Sequence, residues 1–187
     1  NFDTLGIRSS QDTIISKSIS GKKLARQVGN QKFSFTARII VAKRSDVYGE
    51  LMAFIMKQRS RKENFTIIPP EIEDASGNVS GTVLVNGVHA VGDTTIAVDG
   101  MTGTLKAGDY VKFASHTKVY MVVADVTSSS NAATVTIEPP LTTALSDNDT
   151  VVYDSVPFTV ALKNDVQEFQ IGQDALYRYE LDFIEVI

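Results

Sequence analysis

Cysteine and tryptophan are missing from all 187 residues, and histidine occurs only at His89 and His116. Without cysteine the chain has no disulfide staples, zinc-thiolate sites or thiol nucleophiles, which fits a reducing cytoplasm. Two histidines leave a thin inventory for acid–base chemistry near neutral pH, so a catalyst would depend on carboxylates or lysines. Long apolar runs are lacking too. No stretch approaches the roughly 20 residues that cross a bilayer as a helix, so no membrane insertion is expected. The first ten residues have neither the basic nor the apolar region of a signal peptide.

What is present is enough for one full core and a second small one: 43% of the residues are hydrophobic. The net charge of −4 hides a polarity along the chain. Residues 1–72 hold 13 Lys/Arg against 6 Asp/Glu, and residues 73–187 hold 5 against 16, giving +7 and −11. The basic part suits a nucleic-acid binder, and the polarity equally suits a subunit that sets one pole against its neighbour's opposite pole. It shows no motif in which aromatics and basic residues alternate around glycine-rich turns, so assembly is the preferred reading.

Along the chain, the first ten residues lack clear periodicity and read as an extended arm, frayed or held by a neighbouring subunit. β-Branched residues at 13–20 indicate a strand that turns at Gly21. The run 31–43 alternates most clearly: Phe33, Phe35, Ala37, Ile39 and Val41 share one face and Ser34, Thr36 and Arg38 the other. Helical spacing of Val47, Leu51, Phe54, Ile55 and Gln58, with Ser45 as N-cap and Asp46 in the first turn, predicts one helix over about 46–59. Its end carries Lys57, Arg59, Arg61 and Lys62, which suits the negative end of a helix dipole. A short strand from Phe65 stops at Pro69. Residues 71–81 are acidic, small and turn-prone and read as a linker. Beyond them the texture changes to short strands at 82–85, 94–98, 110–113, 119–126, 134–137 and 150–153, close enough for a small barrel or sandwich. The terminal run 176–187 puts Tyr177, Tyr179, Leu181, Phe183 and Glu185 on one face, with Arg178, Glu180 and Asp182 on the other. The predicted class is mainly β with one helix. A barrel or tube-like host domain, 1–75 plus 154–187, would carry an inserted small β-barrel or sandwich at 80–153, with two sequential domains split near residue 80 as the alternative.

Candidate chemistry is sparse. The glycine-rich stretches from Gly77 to Gly81 and from Gly100 to Gly103 lack the lysine and hydroxyl of a phosphate loop and read as turns. Asp93, Asp99 and Asp109 are hard oxygen donors near glycines, yet no calcium-loop spacing surrounds them, and Asx turns explain them. Ser115, His116 and Asp125 invite comparison with a catalytic triad, but there is no nucleophile elbow; both histidines read as solvated turn residues. Glu180 and Asp182 share a strand face at a separation compatible with glycoside cleavage. An acidic face meeting a basic neighbour needs no such geometry. No catalytic, cofactor or metal site is expected.

The segments Gly92 to Phe113 (GDTTIAVDGMTGTLKAGDYVKF), Lys118 to Val123 (KVYMVV) and Val135 to Leu141 (VTIEPPL) together resemble a small β-domain of tailed-phage virion proteins. In it, a strand leads through LxxGD into a second strand and the module ends at a Pro-Pro-Leu turn. Here Gly108 and Asp109 would make the tight turn, Tyr110, Val111 and Phe113 would enter the barrel, and Pro139 would stop the preceding strand. The flanks, Ser16 to Lys23, the strand from Phe33, Phe54 to Arg59, Phe65 to Pro70 and Tyr177 to Glu185, resemble minor tail proteins of the distal-tail, tube-initiator and baseplate type. The resemblance implies a virion tail subunit of a ring, usually sixfold, around the DNA channel, assembled in the host bacterial cytoplasm. Its partners would be copies of itself, the tail tube and baseplate or hub proteins, with DNA only as passing cargo. Lys57, Arg59, Arg61 and Lys62 are the expected basic interface residues, with Glu180 and Asp182 as acidic counterparts. A head or decoration protein, and a glycan-binding module that stacks sugars on Tyr110 and Tyr120, are the alternatives.

Overall fold

Alternation with period two dominates the sequence, and strands dominate the structure. The computed structural model describes residues 2–43, 48–168, 170–171 and 176–187, and among these one α-helix accompanies fourteen strands. The chain divides into two compact units, residues 1–65 with 160–186, and residues 66–159 with the last residue.

In the first unit, β1 (Phe2–Lys17) and β2 (Lys23–Lys43) form a long antiparallel hairpin. Its turn is closed by Ser18 and Lys22, with Gly21 at φ +80°. Strand β14 (Leu176–Glu185) lies on the other side of β2, followed by β12 (Phe158–Leu162) and β3 (Phe65–Ile67), so the sheet runs β1-β2-β14-β12-β3. The two-residue β13 (Gln170–Ile171) also pairs with β14. Register sets Phe35 opposite Phe183 and Ala37 opposite Leu181. Directly opposed residues point to the same side of a sheet, and these four side chains are buried together with Phe33 and Tyr179. Burial beside Tyr48 pushes the Tyr179 phenol up to about 12, desolvation being the larger cause. The helix α1 (Gly49–Lys57) buries Ile55. Phe54 meets Phe65 edge-on at 5.1 Å, and Phe65 meets Phe183 at 5.4 Å. Each fully buried aromatic or branched side chain contributes roughly 1.5–3 kcal/mol by leaving water, which is what fixes this face inward.

Two readings of this unit change. The arm over the first ten residues is not separate: it is the first half of β1, paired with β2 from Phe2 opposite Ile39 onward. Only Leu5 and Ile7 carry its alternation, and both are half-buried, so the pattern was too shallow to read without its partner strand. The helix ends at Lys57, before the expected 59, and Ser45, Asp46 and Val47 lie outside the described residues. It stops because Arg59 and Ser60 adopt φ of 52° and 60°, left-handed values that end the ladder after Gln58.

In the second unit, β4 (Leu84–Val85), β5 (Thr95–Asp99), β7 (Tyr110–Phe113), β8 (Val119–Val122), β10 (Ala132–Glu138) and β11 (Val151–Val152) form an antiparallel sheet in the order β11-β7-β8-β10-β5-β4. Its ends almost meet. Val85 donates to Asp149 at 2.9 Å, Asn148 donates back to Val85 at 2.9 Å, and Val151 donates to Val83 at 2.9 Å. This leaves a nearly closed barrel with few unpaired edge groups. A small pair, β6 (Thr104–Leu105) with β9 (Val126–Thr127), accompanies it. The interior is apolar, with Val85, Ile96, Val98, Met101, Phe113, Tyr120, Ile137 and Leu145 among its members. Residues 71–81 are no linker. Ser76 donates to Asp109 through both backbone and hydroxyl, Thr104 donates to the Asn78 side chain, and Ser80 exchanges backbone bonds with Thr102.

Candidate functional site

Two of the carboxylates singled out for chemistry, Asp93 and Asp109, hold turns, and Asp149 does the same. In the segments Ala90 to Asp93, Lys106 to Asp109 and Ser146 to Asp149, the last residue's carboxylate accepts the N–H of the first at 2.8, 2.7 and 2.9 Å. The third position of each turn has positive φ: Gly92 at 95°, Gly108 at 100° and Asn148 at 67°. One device thus recurs three times, a glycine or asparagine that supplies the left-handed bend and an aspartate that caps the turn backward. The expected Asx geometry runs two residues forward; here the bond runs three residues back. Asp125 accepts from Ala107 at 2.8 Å. No cluster able to hold a metal occurs among the described residues.

The Ser115, His116 and Asp125 grouping does not form. Ser115 donates to Asp149 at 3.0 Å, whereas His116 Nδ1 lies 3.0 Å from the Tyr120 hydroxyl and Nε2 lies 3.5 Å from the Ala144 carbonyl. The Tyr120 hydroxyl also accepts from Thr142 N–H at 3.2 Å. His116 does sit in a turn, donating its backbone N–H to Phe113, but it is buried, not solvated. Desolvation lowers its pKa, opposed by the Ala144 contact and by Asp149. His89 is half-buried and accepts the Ala97 N–H at 3.2 Å. Both imidazoles therefore serve backbone and packing.

The sugar-stacking platform is also absent. Tyr120 is fully buried inside the barrel. Tyr110 alternates out of step with Val111 and Phe113, so it leaves the interior and packs its ring on Phe158 at 5.6 Å. The expectation that Tyr110 enters the barrel fails for the same reason.

Glu180 and Asp182 sit on the polar face of β14. Glu180 pairs with Arg38 at 2.9 Å and Asp182 accepts from Thr36 at 2.7 Å, an arrangement of cross-strand partners more than of a reacting pair. Lys57, Arg59, Arg61 and Lys62 are all exposed around the helix end, with Lys62 4.0 Å from Glu63.

Two features escaped sequence reasoning. The glycine-rich stretches are one interlocked element: a Cβ on Gly77, Gly81, Gly100 or Gly103 would lie 1.9–2.4 Å from a backbone oxygen of the facing stretch. Their residue types were visible, but nothing local showed that the two stretches face each other. The second is the far half of the β1–β2 hairpin. Strand β14 reaches β2 only from Ser34 onward, which leaves the preceding ribbon with exposed Ile14, Ile15, Ile19, Leu24 and Val28.

Residues 72–156 match the family model described as the B domain of distal tail protein pb9. The match covers almost all of the second compact unit. No curated protein matches the chain.

Proposed function

We propose that this chain, which matches the B domain of distal tail protein pb9 over residues 72–156, is a structural subunit of a phage tail. It acts by packing against copies of itself in a ring, sixfold in the usual case, near the distal end of the tube. The first unit builds the ring's sheet around the DNA channel, and the barrel is a module inserted into it. Tail tube and baseplate or hub proteins are the neighbours, DNA is only passing cargo, and the ring forms in the host cytoplasm before the virion is complete.

The matched B domain is the observation that carries this reading. The insertion is supported by the barrel's own ends, where Val156 donates to Glu73 at 3.0 Å and Ser155 to Asp74 at 2.8 Å. Entry and exit side by side are what an inserted domain requires. A ring also covers the free edge of β1, which in a lone subunit exposes unpaired backbone groups. The basic helix end, Lys57, Arg59, Arg61 and Lys62, faces the acidic strand face of Glu180 and Asp182 on a neighbour.

Replacing Arg61→Glu with Lys62→Glu tests this. Both side chains are exposed, so the circular dichroism spectrum stays that of the wild type, and light scattering shows a smaller mass at equal concentration. Full particle assembly by that variant would remove the charge pairing, and a wild-type chain that never associates would remove the ring.

A further inference from the structure

From Arg8 to Asn30 every residue except Ser18 is exposed. This ribbon extends roughly 30 Å past the last β14 pairing at an ordinary strand rise. Two strands alone are marginally stable in water, so a ribbon of this length fits a surface that a partner covers. Its register sorts the side chains. Asp12 opposes Val28, Ile14 opposes Arg26 and Ser16 opposes Leu24, so Ile14, Leu24 and Val28 form a stripe on one face, 61%, 53% and 43% exposed. Residues 10–30 carry Lys17, Lys22, Lys23 and Arg26 against Asp12, a net of +3.

The complementary surface is on the barrel. Residues 66–159 hold three basic residues, Lys106, Lys112 and Lys118, against 11 acidic ones, a net of −8. The connection between β4 and β5 presents Val88 and Val91, 78% and 63% exposed. It is held by Gly87 donating to Asp147 at 2.8 Å, Ala90 donating to Asp93 at 2.8 Å, and a pair of backbone bonds between His89 and Leu145. Two exposed valines on a braced loop, flanked by carboxylates and far in sequence from any cation, match a ribbon that is apolar and basic.

We propose that the β1–β2 ribbon of one copy docks on the Val88 and Val91 loop of a second copy, setting Ile14, Leu24 and Val28 against the valines and Lys22 and Arg26 near Asp93 and Asp147. The inference rests on the assembly reading above and names its partner surface. Ribbon and loop are different surfaces, so the contact is head-to-tail and propagates around a ring when the rotation closes.

Two double variants of the full chain test it: Lys22→Glu with Arg26→Glu on the ribbon, and Val88→Lys with Val91→Lys on the loop. All four side chains are exposed, and circular dichroism serves as the fold control. Sedimentation velocity is expected to show each variant associating at least tenfold more weakly than the wild type. An equimolar mixture recovers association, because each junction then joins an acidic ribbon to a basic loop or a basic ribbon to the native acidic one. If both variants associate like the wild type, or the mixture stays dissociated, the docking is wrong while the assembly reading stands. A wild-type chain that is monomeric at every concentration overturns both.

Discussion

The four glycines that interlock residues 77–81 with 100–103 show how narrow the tolerance is at single positions. Gly100 and Gly103 combine positive φ with a facing carbonyl oxygen 2.1 and 2.2 Å from where a Cβ would stand. Gly100→Ala or Gly103→Ala is therefore expected to destabilise the barrel by about 2–4 kcal/mol, since backbone must move and the left-handed bend is strained as well. Gly87 and Gly92 also have positive φ but open space around them, so alanine there costs only the conformational term, about 1 kcal/mol. Urea titrations of the four variants check the contrast. His116 gives a pH dependence with a definite sign. Its folded pKa lies below the ordinary 6.5, so the unfolded chain binds the proton more readily. Its contribution is complete above 6.5 and is lost as the pH falls below that value. The urea midpoint of the wild type should fall between pH 7 and pH 5, and His116→Gln should flatten that slope.

Elements were legible where the pattern was deep. The alternation from Phe33 to Ala37 and from Tyr179 to Phe183 identified both strands and their buried faces, because period two assigns alternate residues to opposite sides whatever the neighbour is. The short barrel strands at 94–98, 110–113 and 134–137 were readable from β-branched residues between turn signals, and the structure places strands there. Where the readings stopped short, tertiary partners supplied the order. Strand β1 is held mainly by its backbone ladder to β2, and β6 and β9 are two residues each. The hairpin turn at Ser130 and Asn131 shows how local chemistry can be improved without touching the core. Both residues have positive φ, 52° and 61°, and Ser129 and Ala132 exchange backbone bonds around them at 2.9 and 3.0 Å. Turns of this kind favour Asn-Gly. Ser130→Asn combined with Asn131→Gly should raise stability by up to about 1 kcal/mol, read as a higher melting temperature by calorimetry.

On the scale of the whole molecule, the chain's charge polarity has a structural address. The basic half includes the β1–β2 ribbon and the helix end, and the acidic half includes the barrel. Exposed charges farther apart than the screening length, about 8 Å at physiological salt, act weakly on one another. They act strongly where two surfaces meet and water is displaced. Association of the wild-type chain should therefore weaken as salt rises, which sedimentation at two ionic strengths would show.

The sequence by itself determined the class, the alternate faces of the main strands, one helix, most of the barrel's strands and the turn signals between them. These depend on residues near one another in the chain, and local sterics and solvent preference decide them. Only the tertiary structure decided that β14 lies beside β2, that the barrel's two ends nearly meet, and that Tyr120 is buried with His116 while Tyr110 faces away. It also decided that two glycine stretches interlock and that a ribbon of β1 and β2 lies beyond the reach of β14. Each is a choice of neighbour between segments separated by tens of residues or more. A period-two pattern states which side of a strand is apolar, and is silent about which strand will cover it.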